Sequence, residues 1–586
     1  MRVITFLVFF IAISLTTIAQ KGRVEGKVSD ANTGLPLTGV SVIIKNTQKG
    51  IATNQEGRYV INVEGQKTIS LVFSYNKVTQ EVNDIEIIDG KVTTQDLALL
   101  QKTKTEEEVV VRSASTARKE TAASLIAFQR TTNTVASVIS SEAIKRSPDR
   151  NTGEVLKRTP GASIQEGKFI IIRGLADRYN QAMLNGILLT STEPDRKTFS
   201  FDLIPAQMID NIIINKAFVP EYPGEWAGGL IQVNTRDIPA KGFFNIQVGT
   251  GYNSQTTGKR FLKEQDGGKR DWLGIDDGTR ALPSSYSTKS GFDTSSREQK
   301  VNIGKRLRNS WAAMETTAPL NLSFQANGGF VTDVLGKKLG GSLGVSYNRT
   351  SRFLNIENRR NILNNTTGTF NIDGDFNDDR YAKDITVGAL GSLSLQLNSS
   401  NKISVKSIVN INTSNSFTKR EGIDRSRPDT LLSGSEIQFK QNTFFTVQVA
   451  GEHNIVLPLK FKWYGAFNIL DGYIPDQRRI LYSRNNDQDQ YRAVIANSLS
   501  QQSGSRVFQS LSDYIYTAGG DFTYSFNAFD QKQALKGGYM LQIKDRLYDA
   551  QLFANYLPLD NPALRLLSAD KIFAPENFGN GVDNKF

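Results

Sequence analysis

The sequence predicts a mainly β chain: an N-terminal β-sandwich, a small α/β domain, and part of a transmembrane antiparallel β-barrel. Two observations after Gly242 carry the barrel. Nine stretches alternate apolar and polar residues, as a strand must when lipid lies on one side and a wet lumen on the other. The connectors between them are alternately long and short, which a soluble sandwich does not require. A third observation, short apolar runs broken by Gly, Asn, Asp and Pro before residue 100, gives the sandwich.

Residues 1–19 read as a secretory signal. Met1-Arg2 is a short positive start, Val3 to Ile18 is apolar with only Ser and Thr interrupting, and cleavage after Ala19 leaves Gln20 first. Residues 20–100 form the sandwich, with strands expected at 23–28, 39–45, 59–63, 69–75 and 92–99. The linker 101–119 holds Glu106-Glu107-Glu108-Val109-Val110-Val111-Arg112. Three β-branched residues in a solvated linker suit an extended strand with free edges, available to join a partner's sheet. They also suit a last strand of the sandwich.

Residues 120–236 read as the compact α/β domain. Ser140–Pro148 is a helix stopped near proline, and Asn151–Gly161 another with Pro160-Gly161 as its exit turn. Short apolar strands around 170–172, 183–189, 209–214 and 230–233 follow. Gly174, Gly186 and Gly229 are expected at turns or close backbone approaches. Arg173 is expected to pair with a charge in the barrel lumen.

Residues 237–586 carry the nine strands, expected at 243–252, 320–331, 339–349, 385–398, 403–413, 436–451, 459–470, 511–526 and 535–548. Leu339, Gly341, Leu343, Val345 and Tyr347 share one face, and Gly340, Ser342, Gly344, Ser346 and Asn348 the other. The second, fourth, sixth and eighth connectors are expected to be short turns, and the others long outside loops. Asp373–Asp384 begins like a calcium loop, but Asp378 replaces its glycine and Asp384 its final glutamate, so a solvated loop is expected.

Composition narrows the chemistry. The chain has no cysteine, which excludes disulfides, iron–sulfur clusters and thiolate metal sites. Its one histidine, His453, falls in an expected periplasmic turn, so no catalytic residue, metal ligand or cofactor is expected. The formal charge of +12 comes without a basic, aromatic-rich motif. Basic side chains on a barrel rim or lumen, near anionic lipopolysaccharide or substrate, explain it better than nucleic acid.

Gly26–Asp30, Gly34–Val42 and Thr53–Tyr59 resemble the carboxypeptidase-regulatory-like domain, an accessory module without implied peptidase activity. After it come the acidic-valine run, Arg173-Gly174, Asn185-Gly186, and Ala227-Gly228-Gly229 before a strand. This series is similar to the TonB box and plug of Bacteroidetes TonB-dependent outer-membrane receptors. The resemblance implies that Glu107, Glu108, Val109, Val110, Val111 and Arg112 bind TonB and that the N-terminal domain is periplasmic. It implies transport of a scarce nutrient: siderophore-iron, cobalamin, an oligosaccharide or a peptide. Arg178, Tyr179, Asn180 and Asp195 are candidate ligand contacts, with Thr190–Glu193 beside them. A surface lipoprotein is a further candidate partner.

That family uses about twenty-two strands. Nine strands, and a final Phe578–Phe586 that reads like an outside loop, give the expectation of the N-terminal part of a longer barrel. An open edge in lipid leaves backbone groups unpaired, so this stretch alone is expected neither to insert nor to transport. The alternatives are a signal-transducing receptor and a passive porin or adhesin. The type of accessory module weighs against the first, and the plug and valine run against the second.

Overall fold

The computed structural model describes residues 22–99 and 135–586, except 32–33, 48, 64–67, 76–77, 89–90, 148, 150, 166–168, 192–195, 205, 207–208, 236–238, 240–241, 428–429, 457, 499, 501, 530 and 580–584. The expected signal, the linker 101–119 and Asp195 lie outside the described residues. Two compact units emerge. One comprises Met1–Pro148, Ile209–Pro223 and Gly229–Thr235; the other comprises Asp149–Met208, Gly224–Gly228 and Arg236–Phe586.

The N-terminal sandwich belongs to the first unit. Its strands are β1 (Gly22–Asp30), β2 (Ser41–Ile44), β3 (Gly50–Ala52), β4 (Arg58–Val63), β5 (Thr68–Tyr75), β6 (Val78–Glu86), β7 (Val92–Thr94) and β8 (Leu97–Leu99). One sheet runs β4-β1-β7 with β8 also on β1; the other runs β3-β2-β5-β6. Strand β4 alternates strictly, sending Tyr59, Ile61 and Val63 into a core shared with Val24, Val42, Leu71, Phe73 and Leu99. Sequence reading missed β6, because most of Val78–Glu86 faces solvent and shows no apolar alternation.

Between residues 135 and 236 the chain forms β9 (Ala136–Ser140), α1 (Ser141–Arg146), α2 (Thr152–Leu156), β10 (Ala162–Gln165), β11 (Phe169–Ile172), β12 (Asn180–Leu184), β13 (Ile187–Leu189), β14 (Ile209–Asn215) and β15 (Gly229–Thr235). Both expected helices are present and capped. Ser140 Oγ accepts from the Ala143 amide, and Asn151 Oδ1 from the Glu154 amide. In the first unit β14 pairs antiparallel with both β9 and β15. In the second, β12 pairs with β13, and the Thr152 hydroxyl ties α2 to the Ile204 carbonyl.

The rest of the second unit is the wall. It comprises β16 (Phe243–Gly251), β17 (Arg260–Glu264), α3 (Lys289–Thr294), α4 (Arg297–Arg306), β18 (Ala313–Thr317), β19 (Asn321–Val334), β20 (Lys337–Asn364), β21 (Thr369–Asn398), β22 (Asn401–Asp424), β23 (Leu431–Val456), β24 (Leu459–Arg484), β25 (Arg492–Ala493), β26 (Ser505–Ala528), β27 (Gln531–Ala554), α5 (Pro562–Arg565) and α6 (Ala569–Ile572). One antiparallel sheet runs β16-β19-β20-β21-β22-β23-β24-β26-β27, with β25 on β24. All nine expected strands are there in order, as part of a barrel whose two end strands do not pair with each other.

The faces of this sheet are inverted relative to a soluble core. Leu343, Val345, Leu393, Val405, Tyr516, Ile543 and Leu547 are exposed, while Ser346, Ser392, Asn410, Thr446, Gln448, Asn468 and Asp513 are buried. Apolar side chains outward and polar ones inward are what a lipid-facing wall requires. The strands run well past the expected limits, however. The third connector is only residues 365–368, because β20 and β21 pair from Lys338–Gln396 to Asn364–Thr369. Beyond the apolar band, cross-strand pairs such as Arg352–Asp384 and Arg359–Asp375 replace apolar alternation, so the expected long loop is strand.

The first connector, residues 252–320, is structured as well. Its hairpin β17–β18 packs Phe261 and Leu262 against Tyr381, Phe417 and Ile437. The β21–β22 and β22–β23 ladders are in continuous register here, so these wall residues share the outward face of Leu393 and Val405. The connector is therefore a cuff laid on the outside of the wall above its apolar band.

Candidate functional site

On the polar inner face, the wall holds one hairpin. β12 and β13 are joined by Asn185-Gly186, both at positive φ (52° and 88°), with Leu184 opposite Ile187: a two-residue type I′ turn that Asn-Gly favours. Asn185 Nδ2 donates to Gln448 Oε1 at 2.9 Å, and Gln448 Nε2 donates to the Leu184 carbonyl at 3.3 Å. Gln542 Nε2 donates to the Leu188 carbonyl at 3.2 Å, and Arg546 Nη2 to the Ser191 carbonyl at 2.9 Å. Phe199 meets Phe444 edge-on at 5.6 Å. Arg546 is itself fixed by two 2.6 Å bonds to Asp513, which is fully buried and also pairs with Lys544 at 3.1 Å.

Around these anchors the contact is not saturated. Asn410, Thr446 and Asn468 are fully buried on the inner face, yet their side chains make no hydrogen bond among the described residues. Buried amides and hydroxyls of this kind are ordinarily completed by water. A polar contact held by a few long anchors is easier to displace than a packed apolar one.

The sequence-predicted site residues divide. Arg173-Gly174 forms a second positive-φ turn, closed by an Ile172–Leu175 bridge. Arg173 is exposed there, and the expected lumen pair is not formed among the described residues. Arg196, by contrast, is tied within its own domain, 3.2 Å from Asp177 and stacked 4.2 Å over Phe169. Arg178 and Tyr179 are exposed and adjacent, the guanidinium 4.9 Å over the ring. Asn180, expected in an outside-facing loop, is buried. Its Nδ2 donates to the Ile170, Leu175 and Ala176 carbonyls, so its role is to hold the turn. Gly228 lies against it, with its amide on the Tyr179 carbonyl; any Cβ there would collide with Asn180 Oδ1. Gly229 starts β15 in the first unit. Glu107–Arg112 and Asp195 lie outside the described residues.

Sequence reading missed a buried ionic cluster. Glu264 on the cuff accepts from Arg280 (2.7 Å), Arg308 (2.7 Å) and Arg478 (2.5 Å). Arg280 also reaches Asp271 and Asp276, and Asp476 takes Arg478 and Arg506. Four carboxylates face four guanidiniums. Burial alone would raise the Glu264 carboxyl; Arg280, Arg478 and Arg308 outweigh it and hold that carboxyl below the ordinary glutamate range. Asp476 reaches the cluster because β24 bulges between Ile474 and Gln477 and Asp476 adopts φ 53°. Pro475 inside a strand was the available signal.

Two minor readings change. His453 is in strand β23, not in a turn; Trp463 Nε1 donates to its Nε2 at 2.9 Å, which leaves Nδ1 to donate to Asn401 Oδ1 at 2.7 Å. Asp373–Asp384 lies within β21, where Asp373, Asp375, Asp378 and Asp384 pair with Arg360, Arg359, Arg420 and Arg352.

Residues 24–111 match the CarboxypepD_reg-like domain, and residues 129–230 match the TonB-dependent Receptor Plug Domain. No curated protein matches the chain in sequence. Among solved structures it is similar to the unliganded ferric citrate transporter FecA (13% identity over 72% of this chain and 60% of that one, TM-score 0.29). It is also similar to a ferric enterobactin receptor from Pseudomonas aeruginosa (8%, 68% and 63%, 0.28) and to the RagAB peptide importer (11%, 70% and 57%, 0.28). The chain spans roughly three-fifths of the length of these proteins.

Proposed function

We propose that this chain serves TonB-dependent active transport of a scarce nutrient across an outer membrane. One observation supports the reading most: a plug-domain hairpin hung by wall side chains on the polar face of a sheet whose other face is apolar and exposed. In this reading the hairpin obstructs the path. Glu107–Arg112 adds as a strand to periplasmic TonB, and force transmitted from the inner membrane displaces the obstruction. Nutrient is captured from outside by the exposed pair Arg178 and Tyr179, with Asp195 nearby in sequence. The nutrient belongs to one of four classes: siderophore-iron, cobalamin, oligosaccharide or peptide. A surface lipoprotein is a partner if it is one of the last two.

Deleting Glu107–Arg112 in the complete receptor is expected to abolish energised uptake while leaving nutrient binding at the cell surface intact. Uptake at the unmodified rate after that deletion removes the handle from the mechanism. Uptake unaffected by a protonophore removes active transport altogether.

A further inference from the structure

At the upper edge of the apolar band, the wall and cuff bring three cations together on the outward face. Arg349 on β20 and Lys383 on β21 are diagonal neighbours, since Arg349 lies opposite Ile385 and Ser351 opposite Lys383. Cross-strand diagonals of this kind stand about 7–8 Å apart. Lys263 on β17 is the third: it and Arg349 both repel Lys383, while among the described residues Asp271 attracts it. Asp271 is already committed to Arg280 at 2.6 Å.

The three cations have few partners of their own. Lys383 is half-buried and makes no hydrogen bond or ion pair among the described residues. Arg349 Nη2 donates to the Leu320 carbonyl at 3.2 Å, but its Nε is buried without a partner among the described residues. Lys263 is exposed. Half-buried like charges repel, so such a cluster is stable when an anion joins it.

Its surroundings select the anion. Tyr347, two residues before Arg349 on the same face, donates its hydroxyl to the Trp272 carbonyl at 2.9 Å, and the Trp272 side chain is 59% exposed. Directly below, toward the short turns, Leu343 (65%) and Leu393 (52%) present exposed apolar surface. Aromatic side chains between a cationic and an apolar surface fit the boundary between lipid headgroup and acyl chain. A free anion has no use for the apolar surface, and an uncharged lipid none for the cations.

We propose that Lys263, Arg349 and Lys383 form a docking site for the phosphate of an anionic lipid whose acyl chains lie on the Leu343–Leu393 surface. This rests on the membrane reading of the wall. The cuff, by covering the outward face above, closes the site from that side and supplies Lys263 and Trp272. The site then couples the placement of the cuff to the lipid around the barrel.

The test titrates the complete receptor in neutral detergent with three probes: lipid A, phosphatidylcholine and inorganic phosphate. Retention is read by native mass spectrometry. Lipid A is expected to be retained in preference to phosphatidylcholine, and inorganic phosphate is not expected to displace it. Lys263→Gln is expected to weaken lipid A about fivefold, and Arg349→Gln with Lys383→Gln more strongly, from the usual effect of one cation at an anionic surface. Lys263 is a surface residue, so that variant stays informative if the double variant misfolds. Unchanged lipid A affinity in Lys263→Gln and the double variant, with both lipids still retained, overturns the site and leaves the membrane reading standing. Displacement by inorganic phosphate overturns the lipid as its occupant. Retention of neither lipid overturns the membrane reading, and this site with it.

Discussion

Asn180 shows how far a single residue type can mislead. A polar residue beside Arg178-Tyr179 in a Gly-rich stretch reads as a loop contact, but its amide is spent on three carbonyls of its own domain. Nothing in the local sequence distinguishes the two roles, because the carbonyls come from positions whose backbone path depends on the Arg173-Gly174 turn. The glycines were easier to read. Gly186 completes the Asn-Gly turn that sequence reading expected, whereas Gly229, expected at a turn or close approach, begins a strand and the close approach is at Gly228. Gly228→Ala drives a methyl group into Asn180 and is expected to destabilise the domain by about 1–3 kcal/mol. A lowered urea midpoint for protection of residues 170–184 would register it; an unchanged midpoint means that Asn180 moves aside at little cost. Arg178→Ala, at an exposed site, is expected to lower nutrient affinity without moving that midpoint.

Among the elements, the nine strands were legible because lipid on one face and polar surroundings on the other enforce alternation residue by residue. Their length was not, since alternation ceases to be required beyond the apolar band, where β20 and β21 continue on cross-strand ion pairs. The cuff was equally hidden: its short helices and hairpin gain stability from the wall, not from their own sequence. Glu264 is the centre of that attachment. Glu264→Gln leaves Arg280, Arg308 and Arg478 short of a buried anion, and is expected to loosen the cuff by about 3–5 kcal/mol. Faster amide exchange across residues 256–318, with β22 and β23 unchanged, is the expected readout. The pH dependence follows from the same carboxyl. Its folded value is depressed, so its contribution is present above the ordinary glutamate value of about 4.3 and is lost as pH falls through the depressed one. Pepsin is therefore expected to cut within 256–318 only below the ordinary glutamate range. Cutting that begins near pH 5 means that the arginines do not hold Glu264 ionised.

At the scale of the whole molecule, the proposed transport puts a problem to the hairpin on the wall's polar face: it must seal that surface and still be removable. Four hydrogen bonds meet this condition: three donated by Gln448, Gln542 and Arg546, and one that Gln448 accepts from Asn185. Each adds about 0.5–1.5 kcal/mol net, and those involving a charged group up to about 3. Their sum is enough to keep the hairpin seated and, in the proposed mechanism, small enough for an applied force to overcome. Because three of the four accept on backbone carbonyls, the seal depends on few of the plug's side chains, Asn185 and Phe199 among them, and the anchors sit on two strands far apart in sequence, β23 and β27. Loss of one anchor should therefore matter little, and loss of all should matter steeply. In the complete receptor, Gln448→Ala or Gln542→Ala alone is expected to leave passive permeation within a few-fold of its starting level. Combining both with Arg546→Gln removes about 3 kcal/mol, which corresponds to roughly a hundredfold rise in the open population. Solute leakage into cells without a proton gradient measures this directly. Arg546→Gln still leaves Asp513 with Lys544 at 3.1 Å, so the wall keeps its buried ion pair and the change reports on the hairpin. Leakage rising equally in each single variant implies that the anchors act as one unit; no rise in the triple variant implies that the obstruction is held elsewhere.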